Sequence, residues 1–173
     1  MPTDFRFEQE FRADAARTIL AAYYDADQLA AQDALGQLVD REVVESRDDG
    51  DTWVCTWRVS SAKPLPALAR PMVAGGRLTY LETMTWRRAD DAADIAVVPQ
   101  LLGGRVQFAG RYQFAAAAPG RWRRTYAGTI SAAIPMLGGK IERGVLAEFE
   151  SSVPKMAACT QAWLDARAAG GAS

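Results

Sequence analysis

The sequence contains no histidine. Its absence removes the commonest metal ligand and the commonest general acid–base side chain. A Ser-His-Asp or Cys-His arrangement is excluded within one chain. Any proton transfer falls to Asp, Glu, Lys, Tyr or water. Cysteine is nearly absent too. Cys55 and Cys159 stand far apart, which offers neither a disulfide framework nor a zinc spacing, and both read as small buried hydrophobes. No apolar run reaches the roughly 18 residues of a transmembrane helix. Charges interrupt "MPTDFRFEQEF" where a signal peptide needs an apolar segment, so a cytoplasmic location is expected. Net charge is −1 with both signs spread along the chain, without the basic stripe of a nucleic-acid binder. "LLGGR" and "MLGGK" lack the spacing and the Ser or Thr of a phosphate-binding loop and read as turns.

What is present is a chain of 173 residues, 49% of them apolar, enough for one sizeable core. "DFRFEQEF" alternates, with Phe5, Phe7 and Phe11 on one parity, and reads as a half-buried strand. The alanine-rich stretch after it predicts two short helices, with Asp14 as a cap, a break near Asp25 to Asp27 and a stop at Gly36. So much alanine suggests that these helices bury little. Repeated alternation follows. "LVDREVVES" and "TWVCTWRVS" flank the turn "DDGD", and the second puts Trp53, Cys55, Trp57 and Val59 on one face. "RLTYLETMTWRR" puts Leu78, Tyr80, Glu82, Met84 and Trp86 together. "ADIAVVP" is a short strand. "RVQFAGRYQFAA" aligns Val106, Phe108, Gly110, Tyr112 and Phe114, and "RWRRTYAGTISA" aligns Trp122, Arg124, Tyr126, Gly128 and Ile130. Short turns imply antiparallel pairing, with one aromatic and one wet face. From Ile141 onward Val145, Leu146, Phe149, Val153, Met156, Cys159, Trp163 and Leu164 recur at helical spacing, with Glu142 and Glu148 on the far side. Gly138 and Gly139 predict the sharp exit from the last strand, and Pro154 predicts a kink or break.

A strand, two short helices, about six antiparallel strands and a long C-terminal helix resemble the helix-grip fold of the START and Bet v 1-like superfamily (SRPBCC). "QDALG", "PLPALARP", Tyr80-x-Glu82-x-x-x-Trp86 and Pro135-x-"LGGKIE" resemble the DUF2505 family within it. The resemblance implies an α+β fold, a curved antiparallel sheet of about seven strands wrapped on the C-terminal helix. One such domain is expected over residues 1–168, with a disordered tail at 169–173. It also implies a cavity between sheet and helix. By parity its walls would include Trp57, Tyr80, Met84, Trp86, Phe108, Tyr112 and Tyr126, with Phe149, Met156 and Cys159 from the helix. Each of these can equally be plain core. Glu82 and Arg124 share the inward parity. They would pair with each other, anchor a polar ligand group, or reach water at the rim. Gly110 and Gly128, on the same face, mark a bend or a close approach.

The loop "SSAKPLPALARPMVAGG", Ser60 to Gly76, is long for a hairpin. It reads as a packed end-cap, a lid or a partner contact. The expected function is binding of a hydrophobic small molecule such as a lipid, isoprenoid or polyketide-like compound. No cofactor, metal or nucleic acid is expected. The alternatives are a cyclase or dehydratase using Glu82 with Tyr80 or Tyr126, and a protein-interaction module.

Overall fold

The computed structural model describes residues 1–64, 73, 76–100 and 102–171. Seven strands form one antiparallel sheet in the order β1-β7-β6-β5-β4-β3-β2. They are β1 (Thr3–Arg12), β2 (Leu38–Asp48), β3 (Thr52–Ser61), β4 (Thr79–Arg87), β5 (Ala92–Pro99), β6 (Val106–Ala118) and β7 (Arg121–Ala132). Helices α1 (Ala16–Ala22) and α2 (Ala26–Gly36) follow β1, and α3 (Gly138–Gly170) ends the chain. Strand parity decides which face is buried. Cys55, Trp57, Val59, Met84, Trp86, Val106, Arg124, Tyr126 and Ile130 all point inward, as period-2 alternation requires. The opposite face of β3 and β4 carries polar cross-strand pairs, among them Thr56–Thr83 at 2.9 Å and Ser60–Thr79 at 3.0 Å.

The break between α1 and α2 falls at Asp25, whose carboxylate caps α2 by accepting from the Gln28 amide at 3.0 Å. Such a cap satisfies one of the free amides of the first turn. The cap of α1 is Ala15 rather than Asp14. Asp14 instead accepts from the Ala15 amide and the Thr18 hydroxyl. The two helices bury more than their alanine content suggests. Ile19 and Leu20 have no exposed surface and Tyr23 is buried, so α1 is a wall of the core.

Three expectations about the C-terminal segment are corrected. The turn before α3 is made by Met136 at φ 64°, while Gly138 and Gly139 already belong to the helix. Gly138 is there for proximity, since a Cβ would overlap the Ala132 carbonyl oxygen. Pro154 does not break α3, which runs uninterrupted to Gly170. Pro154 and Glu150 are both exposed, so water can take the carbonyl that a proline leaves without its amide. Glu142 lies inward rather than on the wet face. It is buried and accepts from the Ala132 amide at 2.9 Å and the Thr3 hydroxyl at 2.8 Å, pinning the start of α3 to β7 and β1. These bonds hold its carboxyl below the usual carboxylate range.

Residues 169 and 170, expected in a tail, are helical, and 172–173 lie outside the described residues. So does most of the proline-rich loop, including Leu65 to Met72, and with it the lid and partner readings. Among the described residues no helix is long and apolar enough to cross a membrane.

Candidate functional site

A small space lies between the inner face of the sheet and the first two helices. Its floor comes from Trp57 on β3, Glu82 and Met84 on β4, Ile95 on β5 and Tyr112 on β6. Its roof comes from Tyr23, just past α1, and from Leu29 and Gln32 on α2. The cavity measures about 50 Å³. That is room for a few waters, against roughly 300–1,000 Å³ for a typical small-molecule site.

No residue of α3 is on this wall, so the cavity sits under α1 and α2 and not under the long helix. The reason is packing. Phe149 of α3 meets Phe5, Phe108 and Tyr126 with ring centroids 5.4, 5.9 and 6.3 Å apart, which fills the space beneath the helix. Of the residues expected on the wall, Trp57, Glu82, Met84 and Tyr112 are there, and Phe108, Tyr126 and Phe149 are core. Trp86 is buried at the other end of β4, in a stack with Tyr24 and Trp53. Tyr80 is half-buried. Burial pushes its hydroxyl pKa up, against a bond to Ser61. Met156 lines a separate surface groove of about 180 Å³ with Gly36, Lys63 and Glu148. Cys159 is half-buried beside Gln28.

Glu82 and Arg124 do not pair. Glu82 is held instead by Arg41, whose Nη1 donates to its Oε2 at 3.0 Å. The same guanidinium makes two 2.7 Å bonds to Asp33 of α2, from Nε and Nη2. It also lies 5.6 Å from the Trp57 ring centre. The side chains of Arg41, Asp33 and Glu82 are 14%, 12% and 32% exposed. Burial acts to lower the Arg41 pKa, but the Asp33 bonds and the Glu82 charge outweigh it and raise it. Two carboxylates share one guanidinium, which leaves the cluster one negative charge in excess.

A β-bulge puts Arg41 there. Val39 pairs with Ser60 and Glu42 with Arg58, so two residues of β2 oppose one of β3, with Asp40 at φ 54°. The extra residue breaks the alternation and re-aims its neighbour. Arg41, Tyr23, Leu29, Gln32 and Ile95 were not anticipated as site residues. A bulge and a helix–sheet contact leave no periodic mark, although the Tyr23-Tyr24 pair in an alanine-rich helix was a usable signal.

Arg124 of β7 lies on the other side of the cavity, behind Tyr23 and Tyr112. It is 2% exposed. Its Nη1 donates to the Tyr23 hydroxyl and its Nη2 to Gln9 Oε1 at 2.8 Å, while Nε has no partner. Its guanidinium lies 4.5 Å from the Tyr112 ring centre. Burial pushes the Tyr112 and Tyr126 hydroxyls well up; Arg124 opposes the shift at both and Glu82 adds to it. Among the described residues no cluster of three or more Asp, Glu or Cys has the arrangement of a metal site.

The fold matches solved structures over nearly their whole lengths. A structure of TTHA0849 from Thermus thermophilus aligns with TM-score 0.63 at 17% identity, covering 95% of this chain and 99% of that one. The Zhui aromatase/cyclase from Streptomyces sp. R1128 aligns with TM-score 0.65 at 13% identity, covering 97% and 96%. A START superfamily protein from Mycobacterium smegmatis aligns with TM-score 0.60 at 10% identity, covering 94% and 97%. At such identities the likeness is one of fold, the START and Bet v 1-like helix-grip fold. No curated protein matches the sequence. The family model described as "Protein of unknown function (DUF2505)" matches residues 6–164.

Proposed function

The chain belongs to the DUF2505 family, and from that premise we propose that it binds a hydrophobic small molecule carrying polar groups, in the cavity beneath α1 and α2. The observation that carries this reading is the wall itself. Trp57, Met84, Ile95, Leu29 and Tyr112 make it apolar, while Glu82 brings into it a carboxylate from a cluster with excess negative charge. Apolar walls with a few fixed polar groups are the composition of ligand sites. A core built only for stability gains nothing from an ion cluster at its edge, because apolar residues of equal volume stabilise as well or better. The present volume is too small for a lipid-sized molecule. Occupancy therefore requires α1–α2 and the Tyr23, Leu29 and Gln32 side chains to move outward.

The test is native mass spectrometry of the protein purified from its own host, followed by denaturing extraction, together with titration of the empty protein with a panel of one- and two-ring aromatic compounds. A co-purifying molecule near equal stoichiometry, or saturable uptake lost in Trp57→Ala, supports the reading. An empty protein that takes up no member of the panel overturns it and leaves the interaction-module reading.

A further inference from the structure

The cavity has two chemically different sides, and the Arg124 side constrains what can sit there. A buried guanidinium without a counter-charge is costly. Among the described residues Arg124 has no carboxylate partner, only Tyr23, Gln9 and ring faces, with Nε unbonded. The Tyr23 oxygen accepts from Arg124. Its own O–H proton is therefore directed elsewhere, and Tyr23 is on the cavity wall. Tyr112 is on that wall too, and its hydroxyl makes no hydrogen bond among the described residues. A cation beside a phenol polarises it and strengthens it as a donor. Glu82, an acceptor, stands on β4, two strands from Tyr112 on β6 and offset from it along the sheet, since the register sets Glu82 in line with Val97 and Phe108, and Tyr112 in line with Ala93 and Trp86. The wall thus carries two phenols at one end and a carboxylate at the other.

We infer that the ligand carries an oxygen acceptor, a carbonyl or an ionised enol or phenol oxygen, that takes hydrogen bonds from the Tyr23 and Tyr112 hydroxyls, with Arg124 as the positioning residue behind them. This rests on the binding reading above and adds the orientation and polarity of the ligand.

The test compares acetophenone with α-methylstyrene, near-isosteres that exchange C=O for C=CH₂. Affinities are measured by calorimetry and the bound carbonyl stretch by infrared difference spectroscopy, in the wild type, a Tyr23→Phe/Tyr112→Phe double variant and Arg124→Lys. Acetophenone is expected to bind about tenfold tighter, the worth of one or two good buried hydrogen bonds, with its carbonyl stretch shifted to lower frequency. The double variant should erase the preference, bringing the ratio of the two affinities to about one whatever happens to each alone. Arg124→Lys should return the bound carbonyl stretch toward its free value, which loss of packing alone would not do. Equal affinity for both compounds in the wild type, or a preference that survives the double variant, overturns the inference and leaves the binding reading intact. If neither compound binds, this inference is overturned, and the binding reading stands or falls on the co-purification and panel test above. If Arg124→Lys does not fold, the two tyrosines decide the question.

Discussion

Replacing Arg41 by Met keeps the apolar stem of the side chain and removes the guanidinium with its charge. In the structure this deletes two 2.7 Å bonds to Asp33 and one 3.0 Å bond to Glu82. It leaves two carboxylates beside the cavity with no cation between them. Removing one partner of a fully buried ion pair costs about 3–5 kcal/mol. Here Glu82 keeps 32% of its side-chain surface, so solvent screens part of the penalty. The expected loss is about 2–3 kcal/mol at pH 7, by discounting that range for partial exposure. Urea denaturation with tryptophan fluorescence measures it. One internal check goes with the number. The Arg41→Met/Asp33→Asn double variant should be more stable than the sum of its singles by about 1–2 kcal/mol, as expected for residues in one network. A loss below about 0.5 kcal/mol, typical of an exposed pair, or strictly additive single and double variants, would refute the claim that the bulge in β2 builds a charged wall for the cavity.

Gly128→Ala should be the most damaging small substitution in the sheet, costing about 3 kcal/mol or more, because overpacking against rigid backbone cannot relax. Its Cβ would overlap the Ala109 carbonyl oxygen, whereas a Cβ at the paired Gly110 meets the Tyr126 ring edge at 2.6 Å. That ring can turn, so Gly110→Ala should cost less; thermal denaturation of the pair checks the order, and equal costs would contradict it. Burial raises the hydroxyl pKa of Tyr24, Tyr80, Tyr112 and Tyr126 above the ordinary value of 10.0. The folded state thus favours the neutral phenol. That stability is fully present below about pH 10, the unfolded value, and is lost as pH rises above it. Absorbance titration near 295 nm should show these tyrosines ionising only together with loss of the near-ultraviolet circular dichroism signal. Smooth ionisation of all tyrosines near pH 10 with the fold intact would refute it.

Much of the architecture was legible because strands and helices write their periods into the chain. Trp53 to Val59 and Tyr80 to Trp86 alternate, and of the residues this parity selects β3 and β4 bury Cys55, Trp57, Val59, Met84 and Trp86 and half-bury Trp53, Tyr80 and Glu82. The spacing from Val145 to Leu164 marks α3. The site was less legible. Glu142 breaks the polar face of α3 because the backbone amide of Ala132 waits for it across the end of the sheet, and no helical pattern records such a partner. Shared parity alone allows a Glu82–Arg124 pairing. It fails because Arg41 reaches Glu82 first, through a bulge that shifts β2 out of alternation.

By itself, then, the sequence determined which face of β6 and β7 turns inward, where the helices and strands run, and that no histidine chemistry is available. These are local properties, set by side-chain order along a few turns or pleats. Only the tertiary structure decided that Asp33, Arg41 and Glu82 meet, that Arg124 is buried behind Tyr23 and Tyr112, and that Phe149 fills the space under α3 while the cavity opens under α1 and α2. Those contacts join residues from 8 positions apart, Asp33 and Arg41, to the far ends of the chain, Phe5 and Phe149. They depend on which strand lies beside which and on how side-chain volumes fill the space between layers, quantities that no window of sequence contains.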